Sequence, residues 1–350
     1  MEFDDEAFQA DLMRADWPET YEGTVGDVRV VVASMPLEVG DGFVYDRVPW
    51  GRFSHAYGPG ADVPELLERL RSADARTAEE ALSSLWGSIC HQGTRCSVAP
   101  LAVPFLLRIA ADRSTHHRDH VLWLAATVAR REYWGHWIRE GLLRVADADD
   151  DVSVDMKGYP QNWTVRAARD AIAADAHVVI ALLDDPDLEV REAAGYALAA
   201  STSRAGEISA ALRARLCVEK VPRVRAGLVL AIAQLAREHR HEDAAAWTRA
   251  LWSDPTRPAE VVVSAALGWL CLVDDPVPDE LRAVLDESVT HEHARLMALV
   301  PWVRMMDHTD DGPAHILRRM LDPNACPPPV LPDPWPDPET RKGCADDPPF

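Results

Sequence analysis

The stretch ALLDDPDLEVREAAGYALA, from Ala181 to Ala199, decides the fold of this chain. One apolar segment ends in Leu-Leu-Asp, an Asp-Pro pair follows, and Val190 then starts a second apolar stripe. The residues four, seven and eight positions after Val190 are alanine, alanine and leucine, and these spacings lie on one face of an α-helix. Pro186 suits the start of a helix, because the N–H that proline lacks has no helical partner there. The stretch predicts two helices joined by a tight turn.

The same pattern returns further along the chain, which predicts a helical repeat. Val224 and Val262 start equivalent stripes, so the starting valines are 34 and 38 residues apart. A unit of that length is a helix-turn-helix pair that cannot bury its apolar face alone and stacks on its neighbours. Segments of this kind run from about Asp62 to Leu321. The positions predicted to be buried between adjacent units are Val190, Leu198, Val224, Ile232, Val262 and Leu270.

The two ends of the chain differ from this helical middle. The β-branched and aromatic runs VRVVVAS (residues 28–34) and FVYDRV (residues 43–48) are separated by Pro and Gly, which predicts a β-hairpin. The last 29 residues, 322–350, contain ten prolines, which exclude a helix or a central strand and predict a polyproline or disordered tail. We therefore predict a small β-containing N-terminal element at residues 1–61, a helical solenoid at 62–321 and a Pro-rich tail at 322–350.

The repeat stretches resemble HEAT repeats of the phycobilisome-lyase type. The resemblance is carried by Ala181–Ala199 and returns in VPRVRAGLVLAIAQLA (Val221–Ala236). It is weaker in PAEVVVSAALGWL (Pro258–Leu270), where Val263 stands in place of the arginine of the family. The resemblance implies an all-α, right-handed HEAT-like α-solenoid of about six helix pairs. In that arrangement the helices that begin near Val-Arg are expected on the outer side, with their partners facing the concave groove.

A second resemblance covers Ser54–Ala111 and is more specific. Its motifs are His-Ala-Tyr-Gly at residues 55–58, His-Gln-Gly-Thr at 91–94 and Ala-Val-Pro-Phe-Leu at 102–106. This combination is similar to a group of bacterial HEAT-repeat proteins. The likeness implies the same repeat architecture and specifies no activity.

The balance of charge constrains the partners. There are 36 basic and 57 acidic residues, a formal net charge of −21, which argues against nucleic acid or an anionic membrane as the main partner. The longest mostly apolar run, Val261–Val273, is shorter than the roughly 20 residues that cross a bilayer, and the sequence begins with MEFDDEAF rather than with a basic segment. Six cysteines without a CxxC pair favour reduced thiols. These features predict a soluble, cytoplasmic protein.

The segment CHQGTRC, from Cys90 to Cys96, concentrates chemically active side chains. Gly93 allows a turn with positive φ, and His91, Gln92 and Thr94 are candidate binding residues in the resulting loop. The competing interpretation is a structural loop, in which the polar side chains satisfy backbone groups and the cysteines pack in the interior. Neither the Cys-His-x4-Cys spacing nor the later HHRDH run is a standard zinc pattern, so no metal and no cofactor are predicted.

Two aromatic clusters flank an acidic run. YWGHW at residues 133–137 and YPQNW at 159–163 lie on either side of DADDD at 147–151. Exposed Trp and Tyr side chains offer a large contact area at a small entropy cost, which makes them binding candidates. The other interpretation is that these aromatics seal a gap between repeats. The aromatic binding candidates are Trp134, Trp137 and Trp163.

Two classes of function fit these observations. The first is a non-catalytic scaffold or immunity-type protein that recognises a protein or peptide through its concave groove and inter-repeat loops, and the net charge of −21 favours a basic partner. The second is an enzyme of specialised metabolism, lyase-like or isomerase-like, that performs acid–base chemistry without a metal on a small molecule or modified peptide. The sequence contains no GxSxG, P-loop or GxGxxG motif. The catalytic candidates for the second class are His91, Tyr133, His136 and Asp151.

Overall fold

A computed structural model describes residues 22–131, 139–146, 153–274, 276–288, 290–304 and 320–322 of the chain. Regular structure in these ranges is predominantly helical. The N-terminal elements are α1 (Val28–Ala33), α2 (Leu37–Asp41), the 3-10 turns Tyr45–Arg47, Trp50–Arg52 and Gly60–Asp62, and the short strands β1 (Ser54–His55) and β2 (Gly58–Pro59). They are followed by α3 (Val63–Leu70), α4 (Ala75–Ile89), β3 (Cys90–His91), β4 (Thr94–Arg95), α5 (Ala99–Ala111) and α6 (Arg118–Val128).

The second half of the described chain consists of helix pairs and a final short helix. These helices are α7 (Gln161–Ala174), α8 (Ala176–Leu182), α9 (Leu188–Leu198), α10 (Ala205–Val218), α11 (Pro222–Glu238), α12 (Asp243–Trp252), α13 (Ala259–Leu272), α14 (Asp279–Ser288), α15 (His291–Ala298) and α16 (Pro301–Arg304).

Side-chain caps and turn residues set where the helices begin. The Asp187 carboxylate accepts the N–H of Glu189 at 2.9 Å at the start of α9, and Asp74 accepts the N–H of Thr77 at 2.9 Å at the start of α4. Each bond satisfies an N–H group that a helix leaves without a partner in its first turn. Pro222 opens α11, where its missing N–H costs nothing.

The repeats stack through one continuous row of helices. In this row α6 packs on α9, α9 on α11, and α11 on α13. Helices α8, α10, α12 and α14 pack against the row, as do α15 and α16 from the C-terminal part. Every residue from Ala226 to Ala236 in α11 is buried, so this helix is covered all round. The chain is an all-α solenoid, which confirms the predicted fold class.

The position of α9 and α11 in this row differs from the one expected from the sequence. Helices α9 and α11, which carry the Val-Arg pairs, were expected on the outer side, but they form the buried centre of the molecule. The reason is their composition, because long runs of apolar and small residues give these helices no wide polar face to present to water. The partner helices, such as α10, are the ones that expose a polar face.

The predicted core positions are confirmed. All six are buried, with at most 4% of any of them exposed. They belong to one hydrophobic cluster that runs through the whole described chain. The six residues are Val190, Leu198, Val224, Ile232, Val262 and Leu270.

The hairpin predicted from residues 28–34 and 43–48 is wrong. The first run forms the helix α1 and the second contains a 3-10 turn. Tertiary contacts override the β propensity of the valines, because Val28 and Val32 are spaced for one helical face and are buried where α1 packs on α7. A side-chain cap adds to this, since Asp27 accepts the N–H of Arg29 at 2.9 Å. The short β-hairpin of this region lies later, where β1 pairs with β2.

The N-terminal elements share the core of the solenoid. Val39, Trp50 and Phe53 are buried in the same cluster as the repeat helices, and α2 packs on α5. The division of the chain at residues 61 and 321 remains a prediction, and the Pro-rich segment after residue 322 lies outside the described residues. Among the described residues, no helix has both the length and the apolar composition that crossing a membrane requires.

A ladder of ion pairs connects one repeat with the next. Arg118 donates to Asp185 at 2.7 Å, and Arg191 donates to Glu219 at 2.9 Å. Continuing along the row, Arg225 donates to a carboxylate oxygen of Glu260, in the first turn of α13, at 2.7 Å.

The ladder is continuous because two of its acidic residues, Asp185 and Glu219, each bind the arginines of two successive units. The carboxylate of Glu219 accepts from Arg191, while its backbone carbonyl accepts from Arg225 at 3.3 Å. In the same way Asp185 binds Arg118 through its carboxylate and Arg191 through its carbonyl. Position 263, which follows Val262 as Arg191 follows Val190, is a valine, so no arginine continues the ladder from α13.

Candidate functional site

The predicted loop at residues 91–94 is a tight β-hairpin. Strand β3 pairs with β4 so that His91 lies opposite Thr94. Gln92 and Gly93 form the turn with φ values of 47° and 80°, the left-handed conformation that two-residue hairpins require. The three binding candidates are thus brought together at one tip, where Gln92 is exposed and His91 and Thr94 are half-buried.

The β1–β2 hairpin lies beside this tip. The Tyr57 hydroxyl is 3.4 Å from Nδ1 of His91, and the two rings meet edge to face with their centroids 5.4 Å apart. Tyr57 is 71% exposed, so the pair presents an aromatic surface to solvent. His55 is buried behind it and forms a 2.9 Å contact with Asp62. The sequence motifs at residues 55–58 and 91–94 therefore form one surface.

One cysteine of this segment, Cys96, lies in the interior. Cys96 is buried, and burial raises the pKa of its thiol to about 12, which keeps it protonated and unreactive at neutral pH. Within the described ranges, no group of three or more His, Cys, Asp or Glu side chains is placed to hold a metal ion.

Trp163 lies in the interior rather than on a binding surface. It is only 5% exposed, with the guanidinium of Arg29 at 4.3 Å from its ring centroid and Tyr159 packed edge to face against it. This environment fits the interpretation in which the aromatic cluster seals a gap between elements. The other candidates of the two aromatic clusters and the acidic run lie outside the described residues: Tyr133, Trp134, His136, Trp137 and Asp151.

We expect Trp163→Ala to lower the free energy of unfolding by about 3 kcal/mol, because it leaves a cavity under Arg29. Chemical denaturation followed by circular dichroism measures this loss. Binding of a partner to the folded variant should stay unchanged. A variant of wild-type stability that has lost partner binding would instead identify Trp163 as a contact residue.

A cavity of about 310 Å³ opens where the first turns of three row helices meet the end of α16. It lies on α6, α9 and α11, which are successive members of the central row. Most of its wall is polar. The lining residues are Asp119, His120 and Trp123 from α6, Glu189, Glu192 and Ala193 from α9, Arg223 from α11, and Arg304 from α16.

The charged groups of this cavity are incompletely paired. Arg223 is ion-paired with Glu189, and its Nε lies 3.0 Å from Oε1 of Glu192. The second contact lacks hydrogen-bond geometry, so Glu192 Oε1 and Arg223 Nε are buried atoms without a hydrogen-bond partner. Burial, only partly offset by the positive charge of Arg223, raises the pKa of Glu192 to about 7. Glu192 is therefore partly protonated at neutral pH.

A stack of rings and cations lies beside the cavity, and two of its members, Trp123 and Arg304, line the cavity. The guanidinium of Arg304 lies 4.2 Å from the ring centroid of Trp123, which is stacked on Tyr196 with a centroid distance of 4.8 Å. On the other side of Tyr196, the buried guanidinium of Arg130 lies 3.6 Å from that ring. Trp302 in α16 closes the arrangement edge to face against Tyr196. The sequence of layers is cation, ring, ring, cation, and its outer end faces the cavity.

Sequence reasoning missed this cavity because its residues come from separate repeats. Asp119, Glu189 and Arg223 are each the second residue of their helix, so an alignment of helix starts places these three charges side by side. An acid in a first helical turn is also common for local reasons, since it interacts favourably with the helix dipole. Because of that ordinary role, a charged second residue in a single repeat does not indicate a binding site.

Comparisons with known proteins add little. No family model and no curated protein matches the chain. Among solved structures, a designed armadillo repeat protein in complex with the peptide (KR)4 is similar at 16% identity, covering 74% of this chain and 96% of that chain with a TM-score of 0.36. A superposition this distant gives no information about the function of this chain. The resemblances to phycobilisome-lyase-type HEAT repeats and to the bacterial group therefore remain predictions.

Proposed function

We propose that this solenoid binds a protein or peptide partner that carries basic side chains, with the cavity on α6, α9 and α11 at the centre of the binding surface. The observation that supports this most directly is the composition of the cavity wall, where three carboxylates stand against two arginines. The net charge of −21 acts in the same direction, because it attracts cationic partners during encounter.

The repeat geometry favours an extended partner. The first turns of the row helices follow one another along the solenoid, so a chain laid across them meets equivalent positions in successive repeats. Two of these second-residue positions, Asp119 and Glu189, are acidic and line the cavity, whereas Glu260 is buried in its ion pair with Arg225. The surface of Tyr57 and His91 is a separate predicted contact.

A peptide titration tests the proposed function. We expect a synthetic peptide of alternating Arg and Gly to bind the full chain in isothermal titration calorimetry, and a peptide of alternating Glu and Gly not to bind. The measured affinity should fall as salt is raised, because screening shortens the range of the attraction. Absence of binding by the Arg-Gly peptide at low salt would overturn the proposal.

Matched variants separate the cavity from the overall charge. The double variant Asp119→Asn with Glu189→Gln should weaken Arg-Gly peptide binding by about tenfold, equivalent to about 1.4 kcal/mol. The control removes two exposed carboxylates elsewhere, Glu65→Gln with Glu79→Gln, and so changes the net charge equally. An equal effect of both double variants would show that the peptide follows the general field of the protein and not the cavity.

A further inference from the structure

We propose that the cavity is a guanidinium site, in which one arginine side chain of the partner lies between the Trp123 ring and the Glu192 carboxyl and competes there with Arg304. This inference rests on the proposed function and narrows it to one chemical group at one place. It assigns the recognition of arginine to residues of α6 and α9.

The first support is the incompletely hydrogen-bonded carboxyl of Glu192. Its side chain is only 6% exposed and lines the cavity, and its Oε1 atom is ion-paired with Nε of Arg223 at 3.0 Å without hydrogen-bond geometry. The adjacent Arg223 is shared with Glu189, which it also pairs. A buried carboxyl whose hydrogen bonds are incomplete is costly, and a ligand that donates an N–H to this carboxyl lowers that cost.

The second support is the ring stack. The outer face of Trp123 already carries a guanidinium, that of Arg304, at 4.2 Å from the ring centroid. A planar guanidinium stacks on an aromatic face and presents its N–H donors at its edge, toward surrounding carboxylates. This surface therefore accepts the group that we assign to the partner. Arg304 is exposed, and no carboxylate forms an ion pair with it among the described residues.

The charges around Glu192 predict that the affinity for the partner arginine depends on pH. The ionisable groups that line the cavity are Asp119 and His120 on α6, Glu189 on α9, Arg223 on α11 and Arg304 on α16. Since the pKa of Glu192 is raised to about 7, the ionised form becomes dominant only above neutral pH. A guanidinium binds the ionised carboxylate better than the neutral acid, so binding should strengthen as the pH rises through about 7.

The test is a calorimetric titration of the full chain with a capped peptide that contains one arginine among glycines. We expect the affinity to rise about tenfold between about pH 6 and about pH 8, because the ionised fraction of an acid with a pKa near 7 rises by that factor. Glu192→Gln should weaken binding at the higher pH and remove the pH dependence. His120→Asn should retain the pH dependence, which excludes the neighbouring imidazole as its source.

Two further experiments test the guanidinium site without changing the buried carboxyl of Glu192. Arg304→Ala should strengthen binding several-fold by removing the competing guanidinium, whereas Arg249→Ala, an exposed arginine on α12, removes the same charge without effect. A peptide with citrulline, the neutral analogue of arginine, should not bind, and a lysine peptide should bind more weakly. Lysine binding as tight as arginine binding would overturn the assignment to guanidinium.

The outcomes distinguish the two proposals. If no arginine peptide binds the wild-type chain at any pH, the proposed function fails. If the peptide binds but Glu192→Gln and Arg304→Ala leave its affinity and pH profile unchanged, the partner binds elsewhere and only this inference fails. Circular dichroism and thermal melting of each variant confirm that the comparison is made between folded proteins.

Discussion

Replacing Arg191 by alanine is expected to lower the free energy of unfolding by about 4 kcal/mol. Removing one partner of a buried ion pair typically costs 3 to 5 kcal/mol, because the other charge stays buried with its interactions incomplete. Here the remaining partner is Glu219, whose carboxylate is almost completely buried and would keep Arg215, at 2.8 Å, as its charged partner. Arg191 also donates to the carbonyls of Asp185 and Pro186 in the turn before α9, so that turn loses its support as well. Urea denaturation measures the change.

The control for this variant is an exposed pair. Arg204, the residue before α10, is paired with Glu207 in the first turn of that helix, and both are largely solvent-exposed, so Arg204→Ala should cost less than about 0.5 kcal/mol. A loss of similar size in both variants would show that the ladder between repeats does not stabilise the fold more than a surface ion pair does.

The ion pair of Arg191 and Glu219 should also contribute to the loss of stability of the wild-type protein in acid. Burial alone would raise the pKa of Glu219, but the hydrogen bonds from Arg191 and Arg215 and from the backbone of Val221 lower it to about 2. A carboxyl whose pKa is lower in the folded state stabilises the protein above its unfolded-state pKa. This contribution is therefore lost as the pH falls from about 4.5 toward about 2.

Leu198→Ala is the second large expected effect, also a loss of about 4 kcal/mol in the free energy of unfolding. Leu198 is completely buried at the end of α9, and its neighbours in the row are helices that cannot easily close the space. Leu→Ala changes in packed cores cost 2 to 5 kcal/mol, with larger losses where the cavity stays open. Denaturation of the variant against wild type gives the value.

The matched control is Leu299→Ala, because Leu299 is half exposed at the end of α15. Leu299→Ala should lower the free energy of unfolding by much less than Leu198→Ala does. If Leu198→Ala costs less than about half a kcal/mol, the interface between α9 and its neighbours is not the core of the solenoid, and the repeat interpretation is wrong.

The repeats were predictable because one physical requirement acts on every unit. Val190, Val224 and Val262 each start a stripe that must be buried against the next helix, and this requirement leaves a period in the sequence. The N-terminal run of valines was not predictable in the same way. A segment of six residues is helical there because Tyr159, from a distant part of the chain, accepts the N–H of Val28 and donates to the carbonyl of Gly26.

The candidate cavity could not be predicted from the sequence for a related reason. Trp123, Glu192 and Arg304 are far apart in sequence and acquire a common role only when α6, α9 and α16 meet. The loop at residues 91–94 was recognised because its residues are contiguous. Local motifs are visible in a single sequence, whereas a site assembled from successive repeats is visible only after the repeats are superimposed.

The ladder of ion pairs also bears on how the solenoid comes apart. Repeat proteins behave approximately as chains of units coupled to their nearest neighbours, so weak couplings define where partial unfolding begins. Glu219 is held by Arg191 on one side and by Arg225 on the other, which joins the units before α13 into one cooperative block. The valine at position 263 ends that coupling. The junction after α13 therefore lacks a coupling that the earlier junctions have, and we expect partial unfolding to begin on its C-terminal side, opposed by the packing of α15 and α16 on α11.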